Sequence, residues 1–431
     1  MRQETLTVVA RVKDAEAVAR ALADVTADCP DGPCKPSLFG APELGIHFAR
    51  FVLLHEDPDA SPLLVFESNF DTSHVECALA QSAHLALLVE RVGARLFEIF
   101  QHCQDFSERA RFVDDLTSQL QPASAAYQGH TERDLGRIRL EQHLREVLLT
   151  YLESAPKQAM TALYAKLHEH VRRLTFVEPR LAGLDLTRPA PPQPSSAVRS
   201  QRLTEGYGPW LANALPVLPV LRHFLGILSW PFSDPEYDQR GKQEAWTDVD
   251  RQRFRDLSAN EDHGMQNALT HVVPLKLGRA RLFVLRHAHA YIDRMAKRHF
   301  DDIGQLGGIP TIHFAKWLLL EDGKRLLFFS NYDSSWESYL GDFVDQAAIG
   351  LNLAWTSTDA YPRTFFLMAG GAKDEERFKA WSRAHQRPTQ VFYAAYPELS
   401  IAALNNNSWI RDGLHHPPPA GELSAWFRRL T

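Results

Sequence analysis

Only four cysteines occur in 431 residues, and all of them (Cys29, Cys34, Cys77 and Cys103) fall in the first quarter of the chain. Cys29 and Cys34 bracket Pro-Asp-Gly-Pro, but no second close pair and no nearby histidine completes a zinc site. So few thiols exclude a disulfide framework and fit reduced cysteines in a cytosolic protein. The chain also lacks an excess of positive charge. A formal net charge of −6 with no basic stripe argues against a nucleic-acid partner. Its opening, MRQETLTVVARVKDAEAV, has no apolar run, so no secretory signal is expected. A phosphate loop, a dinucleotide glycine fingerprint, His-Glu-x-x-His and the Gly-x-Ser-x-Gly elbow are all missing.

What is present is a repeat. Ile46-His47-Phe48-Ala49-Arg50-Phe51 recurs as Ile312-His313-Phe314-Ala315-Lys316-Trp317. Downstream, Leu64-Val65-Phe66-Glu67-Ser68-Asn69-Phe70-Asp71-Thr72-Ser73 recurs as Leu326-Leu327-Phe328-Phe329-Ser330-Asn331-Tyr332-Asp333-Ser334-Ser335. The period is far too long for a solenoid, so two domain-sized copies of one unit are expected. Hydrophobic content of 45% against 23% charged residues is that of a folded chain, long enough for two or three domains.

Each copy reads in the same order. Residues 4–13 alternate as a strand, the stretch from Asp14 is helical, and strands follow at 45–54 and 63–69, with Asp71 or Ser73 placed to cap the next helix. In the second copy the strands are 268–276, 311–320 and 325–331, with helices at 279–299 and 336–353. Last strands are expected at 123–127 and 389–396, matching Ala125-Ala126-Tyr127 to Ala394-Ala395-Tyr396. This β-α-β-β-α-β order is the ferredoxin-like, split βαβ motif. The expected fold class is α+β: two tandem ferredoxin-like repeats (1–131 and 266–431) with a helical insert (132–265) between them.

The insert holds two long helices in 132–174, a Pro/Ser linker at 186–200 and an apolar segment, Trp210–Trp230. That segment has the length of a bilayer span, roughly 20 residues. Arg222, His223, Pro216 and Pro219 interrupt it, which favours a broken helix lying in the interface, with Arg222 reaching lipid phosphates. A buried connection or a subunit contact is the competing account. The corresponding expectation is a cytoplasmic protein, peripheral on the inner membrane.

Strand alternation puts His313, Ala315 and Trp317 on one face and Phe314 and Lys316 on the other, with His47 and Arg50 likewise opposed. His263, His271, His313 and Asp333 at one end of the second sheet would form a cluster able to bind a metal, ligate a haem or shuttle protons. Each of the three histidines, taken alone, is more often a satisfied structural histidine. His287 and His289 are expected at the surface. Asn and Asp in the Ser-Asn-x-Asp motifs are expected to make local turn and cap bonds, and Asp374 to cap a helix carrying Arg377 on a solvated face.

With the tandem pattern in view, the chain resembles the dimeric α+β-barrel superfamily, which includes the dye-decolorising peroxidases and chlorite-dismutase-like proteins. The resemblance covers 1–130 and 266–415. Its motifs, His-Phe-Ala-Arg/Lys and Phe-x-Ser-Asn-Tyr/Phe-Asp, also resemble a group of bacterial proteins without an assigned activity. The peroxidases carry a proximal haem histidine and a Gly-x-x-Asp-Gly aspartate. Here the nearest string is Gly371-Ala372-Lys373-Asp374, with Glu375 replacing the second glycine. The resemblance implies an oxidoreductase of peroxidase type holding an apolar small molecule or haem. His313, His271 and His263 would serve as cofactor ligands, with Asp333 and Arg377 as catalytic partners. The alternative is a non-catalytic, membrane-associated binding or scaffold protein in which the repeated motifs are structural. A homo-oligomer is compatible with either.

Overall fold

The chain is described by a computed structural model, which covers residues 2–27, 38–55, 61–130, 133–156, 159–184, 186, 248–276, 278–297, 306, 308–320, 323–365 and 369–430. The apolar segment 210–230, nearly all of the 186–200 linker, and Cys29 and Cys34 lie outside the described residues. The fold is α+β, with twelve α-helices among the described residues and antiparallel sheets. None of those helices is long and apolar enough to cross a membrane.

Two units can be distinguished, one within Met1–Glu132 and Ser196–Glu398, the other within Arg133–Ser195 and Leu399–Thr431. The first contains β1 (Arg2–Arg11), α1 (Ala15–Ala27), β2 (Ile46–Leu54), β3 (Leu63–Thr72), α2 (Cys77–Phe100), α3 (Phe112–Ser118) and β4 (Ala125–Gln128). The second unit opens with α4 (Leu135–Ser154) and α5 (Met160–Leu174). The first unit then resumes with α6 (Asp248–Asn260), β5 (Gln266–Pro274), α7 (Arg279–Met295), β6 (Ile312–Leu320), β7 (Arg325–Asp333), α8 (Trp336–Gln346) and α9 (Ala348–Trp355). It closes with a small β8–β9 ladder (Thr364–Phe365 and Ala369–Gly370), α10 (Glu375–His385) and β10 (Val391–Ala394). Helices α11 (Ile401–His415) and α12 (Leu423–Phe427) belong to the second unit.

The sheets are ordered β1-β3-β2-β10 and β4-β6-β7-β5. Each is completed by a strand from the other half of the sequence: β4 pairs with β6, and β10 pairs with β2. The edge strand accepts the foreign strand because its outward N–H and C=O groups need partners wherever those come from. Boundaries between the sequence copies are therefore not boundaries between sheets. Register also corrects the expected matching of the last strands. Ala125 faces Trp317 and Tyr127 faces Ala315, as Val391 faces Phe51 and Tyr393 faces Ala49. The counterpart of Ala125-Ala126-Tyr127 is thus Val391-Phe392-Tyr393, three residues earlier than the matching triplet suggests.

One face of each sheet is covered by helices and the other by its partner sheet. Val52, Leu54, Leu63, Val65, Val272, Leu318, Leu320, Leu327 and Phe329 form the layer between the sheets. Burial on both faces explains why β2 and β6 are apolar nearly throughout instead of alternating cleanly. In the second unit, α4, α5, α11 and α12 share a core of Leu144, Leu148, Leu167, Val171, Leu414 and Trp426. There Gly413 leaves no room for a side chain, since a Cβ would stand 2.0 Å from Trp426 Nε1.

Candidate functional site

The repeated motifs meet between the two sheets. In both β2 and β6 the pairing register slips at the histidine: Ile46 faces Phe70 while Phe48 faces Asn69, and Ile312 faces Tyr332 while Phe314 faces Asn331. His47 and His313 are the extra residues of two β-bulges, and such a residue breaks the period-two alternation. The bulge corrects the opposed faces expected from alternation. His47 packs against Phe314 (5.7 Å between ring centres) and His313 against Phe48 (5.2 Å), so each imidazole joins its neighbouring cation in the inter-sheet layer.

Both histidines are wholly buried and hold an aspartate from the adjacent strand: His47 Nε2 to Asp71 Oδ1 at 2.9 Å, His313 Nε2 to Asp333 Oδ1 at 2.7 Å. The aspartates therefore do not cap the following helices. Helix α2 starts at Cys77 with no side-chain cap, and α8 is capped by Ser335, accepting from Ser338 N–H, and by Asp262, accepting from Trp336 N–H. Above the pairs lie His130 and Tyr396, which the corrected register makes counterparts. The Tyr396 hydroxyl stands 3.0 Å from His47 Nδ1 and 3.1 Å from His130 Nε2, and Gln3 Nε2 is 3.1 Å from His130 Nδ1. One assignment of hydrogens satisfies the whole chain. His47 Nε2–H donates to Asp71, Tyr396 O–H to His47 Nδ1, His130 Nε2–H to Tyr396, and the Gln3 amide to His130 Nδ1. On the other side no hydroxyl matches Tyr396, and His313 Nδ1 is buried without a hydrogen-bond partner among the described residues.

Deeper in the same layer is a trio of buried charges. Arg50 Nε stands 2.6 Å from Glu67 Oε2 and Lys316 Nζ 3.3 Å from Glu67 Oε1. Arg50 also donates to the carbonyls of Leu269 (2.8 Å) and Ser330 (3.0 Å) and to Asn331 Oδ1, all in the second sheet. Lys316 donates to Thr5 Oγ1 (2.6 Å) and the Leu6 carbonyl (2.9 Å) in the first. Burial pushes Lys316 down to about 8, against the pull of Glu67. Burial raises the Glu67 carboxyl, but Lys316 and then Arg50 outweigh it and leave it below the usual carboxylate range. Burial likewise lowers Arg50 despite Glu67. Glu67 has no acidic counterpart, because Phe329 occupies its position in β7.

Of the expected ligand set, the structure brings together only His313 and Asp333. His271 lies on the helix-covered face of its sheet, among Phe328, Trp355 and Trp381, with Nε2 2.9 Å from Ser382 Oγ. Burial, then the nearby His385, Arg387 and Arg383 charges, hold it well below the ordinary histidine value. His263 is exposed after α6. Arg377 sits on α10 beside Asp374, which caps that helix. His289 departs from the surface placement expected for it: α7 packs against β4, and His289 is fully buried with Nδ1 2.8 Å from Ser124 Oγ. No group of three metal-binding side chains is assembled among the described residues. His130, Tyr396 and Glu67 were invisible as site residues in the sequence. The usable signal was Tyr127 against Tyr393, which would have aligned His130 with Tyr396.

A cleft of about 670 Å³ opens at the far end of the strands from the histidines, lined in part by Val9, Arg11, Leu63, Ser124, Arg286 and Leu320. Comparison of the chain with protein-family models, curated proteins and solved structures gives no match.

Proposed function

We propose that the chain is a tandem of two ferredoxin-like units in the manner of the dimeric α+β-barrel proteins, each completing the other's sheet. In this reading it is a binding or scaffold protein that attaches to a membrane surface, and the repeated motifs are fittings between its sheets. The observation that supports this most is the use of both repeated cations: Arg50 and Lys316 each donate to backbone carbonyls of the opposite sheet. Buried cations consumed in this way rigidify a core and are not free to meet a substrate. The test is His47→Ala and His313→Ala, read for thermal stability and for ligand or vesicle binding. Lowered stability with binding intact is expected, and intact stability with binding abolished would refute the structural role. Membrane attachment rests on 210–230. Flotation with anionic liposomes should carry the full chain, and equal recovery of the full chain and a 210–230 deletion in the soluble fraction would remove that part.

An oxidoreductase is the second reading, favoured by the buried, unpartnered Nδ1 of His313. The surroundings do not fit a haem there. Phe48, His130 and Tyr396 lie 5.2, 5.6 and 5.9 Å from the His313 ring, centre to centre, and fill the space a macrocycle would need. A Soret band from the purified or reconstituted protein, lost in His313→Ala, would reverse the preference.

A further inference from the structure

The two crossings between the sheets are nearly alike, and the place where they differ is a site. After α3 the chain runs along the first sheet, where Gln121 N–H donates to the Thr7 carbonyl, and reaches the second where Ser124 N–H donates to the Trp317 carbonyl. After α10 it does the reverse: Arg387 N–H donates to the Thr270 carbonyl and Gln390 N–H to the Phe51 carbonyl. Ser124 and Gln390 are therefore counterparts, as are Leu319 and Leu53. At the second crossing Gln390 turns its side-chain oxygen back onto β2, 2.8 Å from Leu53 N–H. At the first, Ser124 is too short to do this, and its hydroxyl is occupied by His289 Nδ1 (2.8 Å) and the Trp317 carbonyl (2.9 Å). Backbone polar groups alternate sides along a strand, so Leu319 N–H points the same way as the Trp317 carbonyl, away from β7 and into the cleft. One crossing supplies an oxygen to the end of β2, and the other leaves a donor of β6 facing a cleft of about 670 Å³.

Charge and shape narrow what would sit there. Arg11 and Arg286 line the cleft, and neither has an ion-pair partner among the described residues. Val9, Leu63 and Leu320 are its apolar lining, beside the polar Gln119, Gln121 and Ser124. The volume is that of a small-molecule site, roughly 300–1,000 Å³. We infer that this cleft binds a small monocarboxylate with an apolar tail. One carboxylate oxygen takes the position that Gln390 Oε1 holds at the other crossing, on Leu319 N–H, and the guanidinium groups of Arg11 and Arg286 meet the charge. The inference deepens the binding reading above by giving it a site and a ligand class.

The test is calorimetric titration of the full chain with octanoate, octanol and octylamine, repeated on Arg286→Ala and Ser124→Gln. Arg286 is exposed, so its removal leaves the fold intact. Ser124→Gln installs the side chain that fills the other crossing. Octanoate should bind while octanol and octylamine do not, Arg286→Ala should weaken it about tenfold, and Ser124→Gln should abolish it. Thermal unfolding of each variant checks that the sheets persist. No octanoate binding by the unaltered chain, octanol binding as tightly as octanoate, or unchanged affinity in Arg286→Ala would each overturn the inference. None of these results bears on the histidine variants that test the broader reading.

Discussion

Replacing Glu67 by Gln removes the single carboxylate shared by two buried cations while keeping side-chain volume. Arg50 keeps its carbonyl and amide acceptors but loses its counter-charge, and an arginine does not deprotonate to escape. Lys316 can escape. Its value, already about 8 with Glu67 in place, falls further once the carboxylate is gone. Breaking a buried pair by removing one partner costs about 3–5 kcal/mol, a large share of the roughly 5–15 kcal/mol that holds a domain folded. The pH dependence gives the loss a signature. In the unaltered chain Lys316 titrates near 8 folded and near 10.5 unfolded. Between those values the unfolded state holds the extra proton, so stability rises with pH by up to about 1.4 kcal/mol per unit. Below 8 the lysine is charged in both states and adds no slope. In Glu67→Gln the rising limb begins at lower pH, so the deficit measured at pH 7 should narrow by pH 9. Urea denaturation followed by tryptophan fluorescence at both pH values reads this directly. A loss under about 1 kcal/mol at pH 7, or a deficit that does not narrow, would refute the reasoning that two buried cations depend on one carboxylate. As a companion, Arg50→Met, Glu67→Leu and Lys316→Met together should unfold close to the unaltered chain, since exchanging a whole buried ionic group for apolar side chains is often neutral.

Acid should destabilise the protein early. Burial holds His84 at about 3 and His289 at about 4, and lowers His271 well below its ordinary value. All three bind protons in the unfolded chain first, so stability is lost as pH falls through about 6.5, by about 1 kcal/mol each by pH 5.5. Denaturation at pH 7 and 5.5 measures it, and an unchanged midpoint would contradict the buried placements. Tyr396→Phe removes the hydroxyl between His47 and His130 and should cost about 1–3 kcal/mol. His313→Ala tests the other half of the cluster. Gly371→Ala should destabilise by about 1–3 kcal/mol, because φ is +57° and the new Cβ would meet Asn352 Oδ1 at 2.0 Å. Differential scanning fluorimetry suffices for each of these, and a neutral result would count against the packing described.

The strands were legible because their apolar runs are strong and occur twice. Which face a histidine occupied was not legible, since one extra residue at His47 and at His313 turns both imidazoles to the other side of the sheet, and a bulge leaves no mark in the pattern. Strand exchange was hidden for a different reason. A last strand pairs equally well, by local preference, with its own edge strand or with its twin's, and only the three-dimensional path of 119–124 and 386–390 decides. The short match Ala-Ala-Tyr misdirected the alignment by three residues and so concealed His130 opposite Tyr396. Asp71 and Asp333 looked like caps because the sequence places them before helices. A histidine on the neighbouring strand competes for the same carboxylate and wins.

The claim that the repeated cations tie each half to the other's sheet is tested most directly by a double-mutant cycle. Lys316→Met, Thr5→Val and the pair are compared by urea denaturation, since Lys316 Nζ meets Thr5 Oγ1 at 2.6 Å across the inter-sheet layer. A coupling energy of about 1–2 kcal/mol is predicted for a charged hydrogen bond between the sheets. Additive losses, within about 0.5 kcal/mol, would contradict it.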